Sequence, residues 1–260
     1  ERLLGVEEPF VGEEIKEAFE AEGITVLTNS ELQSVRRSGG DGPVTATLQD
    51  GRELTGDEML VAVGRKPRTE DIGLDVVGLE PGKPVPVDDR LAAEGVDGGW
   101  LFAVGDANGR SLLTHMGKYQ ARILADRILG VDRTAWADDR AVPRVIFTDP
   151  QVAAVGLNEA SAKKKGLHVR TASSDVGSVS GGSVRGEGIK GTCQIVVDSV
   201  KGVIVGATFV GPEVGEMLQS ATIAIVGEVP VERLWHAVPS FPTMSEVWLR
   251  MLEELLPARS

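Results

Sequence analysis

The run Leu101-Phe102-Ala103-Val104-Gly105-Asp106, followed a few residues on by Leu112-Leu113-Thr114-His115 and a helix-like stretch, constrains the fold most. It reads as a buried strand whose Gly-Asp tip meets the start of a helix. Gly105 lets another molecule approach the backbone closely, and Asp106 offers acceptor oxygens just beyond the strand. The helix start presents unpaired N–H groups and a partial positive charge, which suits an anion or an electron-rich carbonyl. Such a tip can hold the sugar-alcohol chain of a nucleotide cofactor with its hydroxyls on Asp106. Strand-ending turns also use Gly and Asp for purely local reasons.

With 260 residues, 42% of them apolar, the chain has enough material for two compact units and is too apolar for disorder. A net charge of −12 argues against nucleic acid or an anionic membrane as the main partner. No window approaches the roughly 18 to 20 apolar residues of a membrane span. A single cysteine excludes an internal disulfide, and no signal-peptide pattern is present, so a cytoplasmic protein is expected. Glu1 is not an initiator Met, and the chain opens inside what reads as a connection, so an upstream part is expected. No Gly-x-Gly-x-x-Gly lies in a strand-to-helix context. The glycine-rich stretch Gly177 to Gly191 is interrupted by Val, Ser and Arg, and no phosphate-loop lysine pattern follows.

Periodicity predicts an amphipathic helix over Phe10 to Glu22, with Ile15, Ala18 and Phe19 on one face, and a short strand at Ile24 to Leu27. Val44 to Leu48 alternates, Asp50-Gly51 marks a hairpin, and Arg52 to Leu54 returns. Glu58 to Val63 reads as a buried strand ending at Gly64-Arg65-Lys66-Pro67. A helix is expected from Thr114 to Leu129, stopped by Gly130, and then an acidic linker around Trp136 to Arg140. Beyond it come a strand at Val142 to Phe147 and a capped helix at Asn158 to Gly166 whose three lysines form its solvated end. Strands follow at Leu167 to Ser173, Thr192 to Val197 and Gly202 to Phe209, then a helix at Val214 to Val226 and another starting near Thr243. Strands with flanking helices and no βαβ alternation indicate an α+β unit.

Five stretches then fall in one order: Val61 to Pro67; Leu101 to Asp106; Val142 to Pro150 with Val155-Gly156; Gly206 to Glu213; and Phe241-Pro-Thr-Met-Ser-Glu246. Together they resemble the C-terminal half of the pyridine nucleotide-disulfide oxidoreductases, flavoproteins that include dihydrolipoamide dehydrogenase, mercuric reductase and soluble transhydrogenase. The resemblance implies an α/β fold of partial nicotinamide and FAD domains, plus an α+β dimerisation domain with an antiparallel sheet and flanking helices. Residues 1–67 would close the NAD(P)-binding domain, 68–134 the FAD-binding domain, and 141–260 would form the interface of a homodimer. It implies further that Gly105 and Asp106 hold the flavin ribityl chain and that the backbone of Leu112, Leu113, Thr114 and His115 meets the pyrimidine edge of the flavin. Gly64 would lie where the nicotinamide of NAD(P)H passes. Arg65 reads equally as a surface charge closing its strand.

Disulfide-reducing members carry, in the last motif, a histidine two residues before the threonine and a glutamate five residues after that histidine. The pair serves as a base for the thiol, since the thiolate is the competent species. Here the histidine position is Phe241, which accepts no proton. Glu246 reads as the far end of a capping box with Thr243. Cys193, mid-strand, reads as an inert apolar residue. The tail Leu255 to Ser260 has no cysteine pair of the mercury-handling kind, and no metal site is expected. The leading expectation is an FAD-dependent NAD(P)H oxidoreductase passing electrons to a small-molecule acceptor that needs no thiol deprotonation. A dihydrolipoamide-dehydrogenase-like enzyme with an altered base, and a non-catalytic dimerisation fragment, are the alternatives. Dimerisation is expected because the apolar stripe from Met217 to Ile225 and the last helix (Val247, Met251, Leu252, Leu255) ask for burial by a second chain.

Overall fold

The computed structural model describes residues 1–256, so the end of the tail that carries no cysteine pair lies outside the described residues. Helix α1, Pro9–Ala21, opens with proline at its start, where the missing N–H costs nothing. Strands β1 (Leu32–Arg37), β2 (Val44–Leu48) and β3 (Glu53–Gly56) form an antiparallel meander. Its second turn uses Gly51 at φ +84°, as the Asp-Gly pair predicts. An irregular stretch follows, held by bridges such as Val87–Ala93 and Ala92–Phe102. It packs Leu74, Val85, Val87, Leu91 and Ala103 against Ile123 of helix α2, Thr114–Ile128.

A five-stranded antiparallel sheet makes up the rest, built from β4 (Arg144–Ile146), β5 (Gln151–Gly156), β6 (Val169–Asp175), β7 (Thr192–Asp198) and β8 (Val203–Gly211). Its spatial order is β4-β5-β8-β7-β6. Helix α3 (Glu159–Lys164) is capped by Asn158, whose side chain accepts from Ser161 N–H. The short helices α4 (Ser180–Arg185) and α6 (Val231–Leu234) accompany two longer ones, α5 (Val214–Val226) and α7 (Val247–Leu255). Because side chains alternate across a strand, the sheet has two buried faces. Ala153, Val155, Ile195, Val197 and Phe209 meet α5 and α7, with Phe209 and Trp248 edge to face at 5.9 Å. Val152 and Val210 point the other way and meet Val11 and Ile15 of α1. Among the described residues no helix is long and apolar enough to cross a membrane.

Several expectations fail. Ile24 to Leu27 and Glu58 to Val63 are not strands, and Leu60 and Val63 are 91% and 93% exposed. A strand needs a hydrogen-bonded neighbour, and neither segment has one among the described residues. Leu101 to Val104 makes one bridge, Phe102 to Ala92, and Gly105-Asp106 already belong to a 3-10 turn. The strand expected at Val142 to Phe147 shortens to Arg144–Ile146. The acidic linker is a 3-10 turn, Trp136–Asp139, with Asp138 buried. The apolar stripes of α5 and α7 are covered by the chain's own sheet: Leu218, Ala221, Ala224, Ile225, Val247, Met251, Leu252 and Leu255 are all buried. Beside these stripes a groove of about 330 Å³ stays open between α5, α6 and α7, with Ile223 60% exposed at its edge.

Candidate functional site

Gly105, at φ +65°, opens a 3-10 turn that runs to Asn108. The positive φ is what favours glycine here; on the facing helix a Cβ at Gly117 would come to 3.3 Å from Gly105 Cα, a tight approach. Turn and helix therefore press backbone to backbone, and Asp106 stands at the mouth of α2 with its side chain 59% exposed. Leu113 is the residue before α2, and Thr114 and His115 are its first two residues. The N–H groups of Thr114 and His115 belong to the first turn, which has no intrahelical acceptors, whereas Leu113 N–H donates to Ser111 O at 2.9 Å. A carboxylate acceptor and a cluster of donors thus face the same space.

Arg65 closes the arrangement. Its Nη1 donates to Leu112 O at 2.8 Å and lies 3.4 Å from Asp106 Oδ2. This brings the end of the 58–64 segment against the turn, with exposed Gly64 (φ +132°) as the next residue and nothing within 4 Å of where its Cβ would be. The guanidinium adds positive charge at the helix mouth. His115 Nε2 lies 2.7 Å from Pro143 O, so its ring is tied to the segment entering β4.

The structure so gathers Gly64, Gly105, Asp106, Leu112, Leu113, Thr114 and His115 in one place. Glu246 works elsewhere: its carboxylate accepts from Thr243 N–H at 3.2 Å and from Gly181 N–H at 3.3 Å, in a full capping box. Phe241 is 76% exposed. Sequence reasoning missed the buried support of the turn, where Gln120 Oε1 accepts from Gly105 N–H and from Nδ2 of Asn108, the turn's last residue. Gln120 carried a legible signal, since it falls between Met116 and Ile123 on the buried stripe of α2.

The donors and acceptor fit the ribityl and pyrimidine end of a flavin. The carboxylate suits hydroxyl donors, and the helix mouth suits the electron-rich carbonyl edge.

Residues 142–252 match the model of the pyridine nucleotide-disulphide oxidoreductase dimerisation domain, and residues 1–121 match a second model described as pyridine nucleotide-disulphide oxidoreductase. A dihydrolipoyl dehydrogenase of Mycobacterium tuberculosis is 33% identical over 250 residues, covering 94% of this chain and 53% of the relative. A mercuric reductase of Staphylococcus aureus is 30% identical over 248 residues, covering 95% and 45%. The chain therefore spans about half the length of the curated relatives it matches. The crystal structure of LpdA from Mycobacterium tuberculosis superposes with a TM-score of 0.82 at 25% identity, covering 96% of this chain and 54% of that one. The HOCl-induced flavoprotein disulfide reductase RclA of Escherichia coli, solved as a Cu(II) complex, shares the fold with a TM-score of 0.83 at 22% identity, covering 98% and 57%.

Proposed function

The chain belongs to the pyridine nucleotide-disulphide oxidoreductase family, and on that footing we propose that it carries the flavin-contacting turn and the interface unit of an FAD-dependent NAD(P)H oxidoreductase. The observation that supports this best is the Asp106 carboxylate at the mouth of α2, with Gly64-Arg65 brought against it. In this reading Asp106 accepts from ribityl hydroxyls, the N–H groups of Thr114 and His115 face the pyrimidine edge, and Gly64 leaves room for the nicotinamide. Bound there, a flavin would supply the chemistry of hydride transfer from NAD(P)H and onward electron transfer. The part played by the chain is to hold the cofactor and to favour the negative charge of its reduced form. A helix start contributes about 0.3 to 2 kcal/mol to such charge, depending on burial.

The division into a nicotinamide part (1–67), a flavin part (68–134) and an interface unit (141–260) belongs to the same proposal. So do a homodimer formed through the interface unit and a cytoplasmic setting, the latter supported by the single, buried cysteine. In this reading Phe241 takes the position of the thiol base, and Glu246 is engaged by two backbone N–H groups. The acceptor is accordingly one that needs no thiol deprotonation, such as a quinone, a second nicotinamide or a dye. The dihydrolipoyl dehydrogenase relatives favour a second reading, disulfide chemistry with an altered base.

Titration of the chain with FAD, followed by flavin fluorescence, tests the site. With no dinucleotide fingerprint in these residues binding is expected to be weak, and to weaken a further tenfold or so in Asp106→Ala. A chain that takes up no flavin would leave only the non-catalytic interface reading. Bleaching of bound flavin by NADH or NADPH, with oxidation by a quinone but not by lipoamide, separates the two catalytic readings.

A further inference from the structure

The turn that carries Asp106 stands on a buried polar chain beginning on another element. Gln120 of α2 is fully buried, and its Oε1 accepts from Gly105 N–H at 2.7 Å and from Asn108 Nδ2 at 2.8 Å. Its Nε2 donates to Asp138 Oδ2 at 2.9 Å. Asp138 sits on the 3-10 turn Trp136–Asp139, whose Trp136 and Ala137 pack against the core of the five-stranded sheet. The Asp138 side chain has no exposed surface. Arg110 Nη1 lies 3.4 Å from the same oxygen, while Arg110 Nη2 donates to the carbonyls of Val87 and Asp88 at 2.5 and 3.0 Å. The other oxygen, Oδ1, is buried with no hydrogen-bond partner among the described residues.

A buried carboxylate with one orphaned oxygen costs more than an apolar residue of its size. Its presence is explained by what the other oxygen does. A side-chain amide has a donor end and an acceptor end of nearly the same shape, and either end can face a given neighbour. Gly105 N–H and Asn108 Nδ2 both need an acceptor. A carboxylate on the far side accepts only, so it draws the Gln120 NH2 toward itself and leaves Oε1 for the two donors. Without it, the amide is free to turn its NH2 toward Gly105 and oppose the bond. The turn has no slack to absorb that, since a Cβ on Gly117 would already come within 3.3 Å of Gly105 Cα.

We propose that Asp138 and Gln120 are positioning residues for the Asp106 turn, the carboxylate locking the Gln120 amide in the one orientation that accepts from Gly105 N–H. The consequence for flavin rests on the function proposed above. The consequence for the turn does not. Because the same 3-10 turn packs on the interface unit, the lock also ties the placement of Asp106 to that unit.

Amide hydrogen exchange at Gly105 and flavin titration, measured on the same variants, test this. Asp138→Leu offers the amide no acceptor, and Gly105 exchange is expected to accelerate, and flavin affinity to fall, by about tenfold each. Asp138→Asn offers Gln120 an acceptor oxygen again and is expected to recover most of both. Gln120→Glu keeps the acceptor for Gly105 but sets two carboxylates at hydrogen-bond distance, where they must share a proton. Its Gly105 protection should match the parent in mild acid and fail as pH rises, while the parent stays flat. Should Asp138→Leu not fold, the pH profile of Gln120→Glu decides. Parent-like Gly105 exchange and a flat profile in folded variants overturn the proposal. Accelerated exchange with unchanged flavin affinity overturns its cofactor role. If the parent binds no flavin, the flavin reading falls, and the exchange data alone decide the lock.

Discussion

Cys193 lies in the middle of β7 with none of its surface exposed. Burial, and then the negative charge of Glu14 and Asp175, push its thiol up, far from the range in which a thiolate forms. The folded chain should therefore resist iodoacetamide at mildly alkaline pH and take up one equivalent only in denaturant. Labelling of the native protein at the rate of a free thiol would show that β7 opens. This residue was legible in the sequence because alternation placed it facing inward in a strand, and burial alone fixes its chemistry. Asp138 was not legible, because it sits in an acidic run that reads as solvated. Its partners, Gln120 and Arg110, are 18 and 28 residues away in sequence, and no local pattern links them. Arg65 was ambiguous for the same reason, its two contacts being 41 and 47 residues distant.

Elements defined by short-range chemistry were readable, and those defined by a partner were not. The Asp50-Gly51 hairpin, the Asn158 cap and the Thr243–Glu246 capping box each close within a few residues. Ile24 to Leu27 and Glu58 to Val63 have strand composition, yet a strand exists only beside another. The docking of α1 likewise depends on distant contacts. Glu7 forms a buried two-pronged pair with Arg144 at 2.5 and 2.6 Å, and Glu8 accepts from Glu159 N–H at 2.7 Å, at the start of α3. Burial pushes the Glu8 carboxyl up from its ordinary 4.5, and the Glu159 N–H opposes this only in part. With the folded value raised, the stability Glu8 confers is full below about 4.5 and is lost as pH rises through the folded value. Glu8→Gln keeps an acceptor for Glu159 without a charge to bury. It should be more resistant to urea than the parent near neutral pH, and the two midpoints should converge below about 4.5. A constant difference across the range would mean that ionisation of Glu8 is not coupled to folding.

At the scale of the molecule, one antiparallel sheet carries α1 on one face and α5 with α7 on the other, so the parts before β1 and after β4 share a core. The sequence showed the α+β character of that unit, but misread what covers its helices, because a stripe on a helix does not say which surface fills it. Leu218, Leu252 and their neighbours are satisfied within the chain, and a dimer has to use the surface that remains. One apolar part of that surface is the groove lined by Ser220, Ile223, Val229, Leu234, Ala237 and Pro239, with Ile223 at its edge. Ile223 is 60% exposed, so a polar residue there should change the stability of the single chain by no more than about 0.5 kcal/mol. The same charge trapped between two copies would be desolvated and unpaired, which weakens association by about tenfold or more. Sedimentation of the parent should give a particle of twice the 27.5 kDa chain mass, and Ile223→Glu should shift it toward the single chain with its thermal midpoint nearly unchanged. A variant that stays paired would move the interface off the α5 groove and onto another face of the unit.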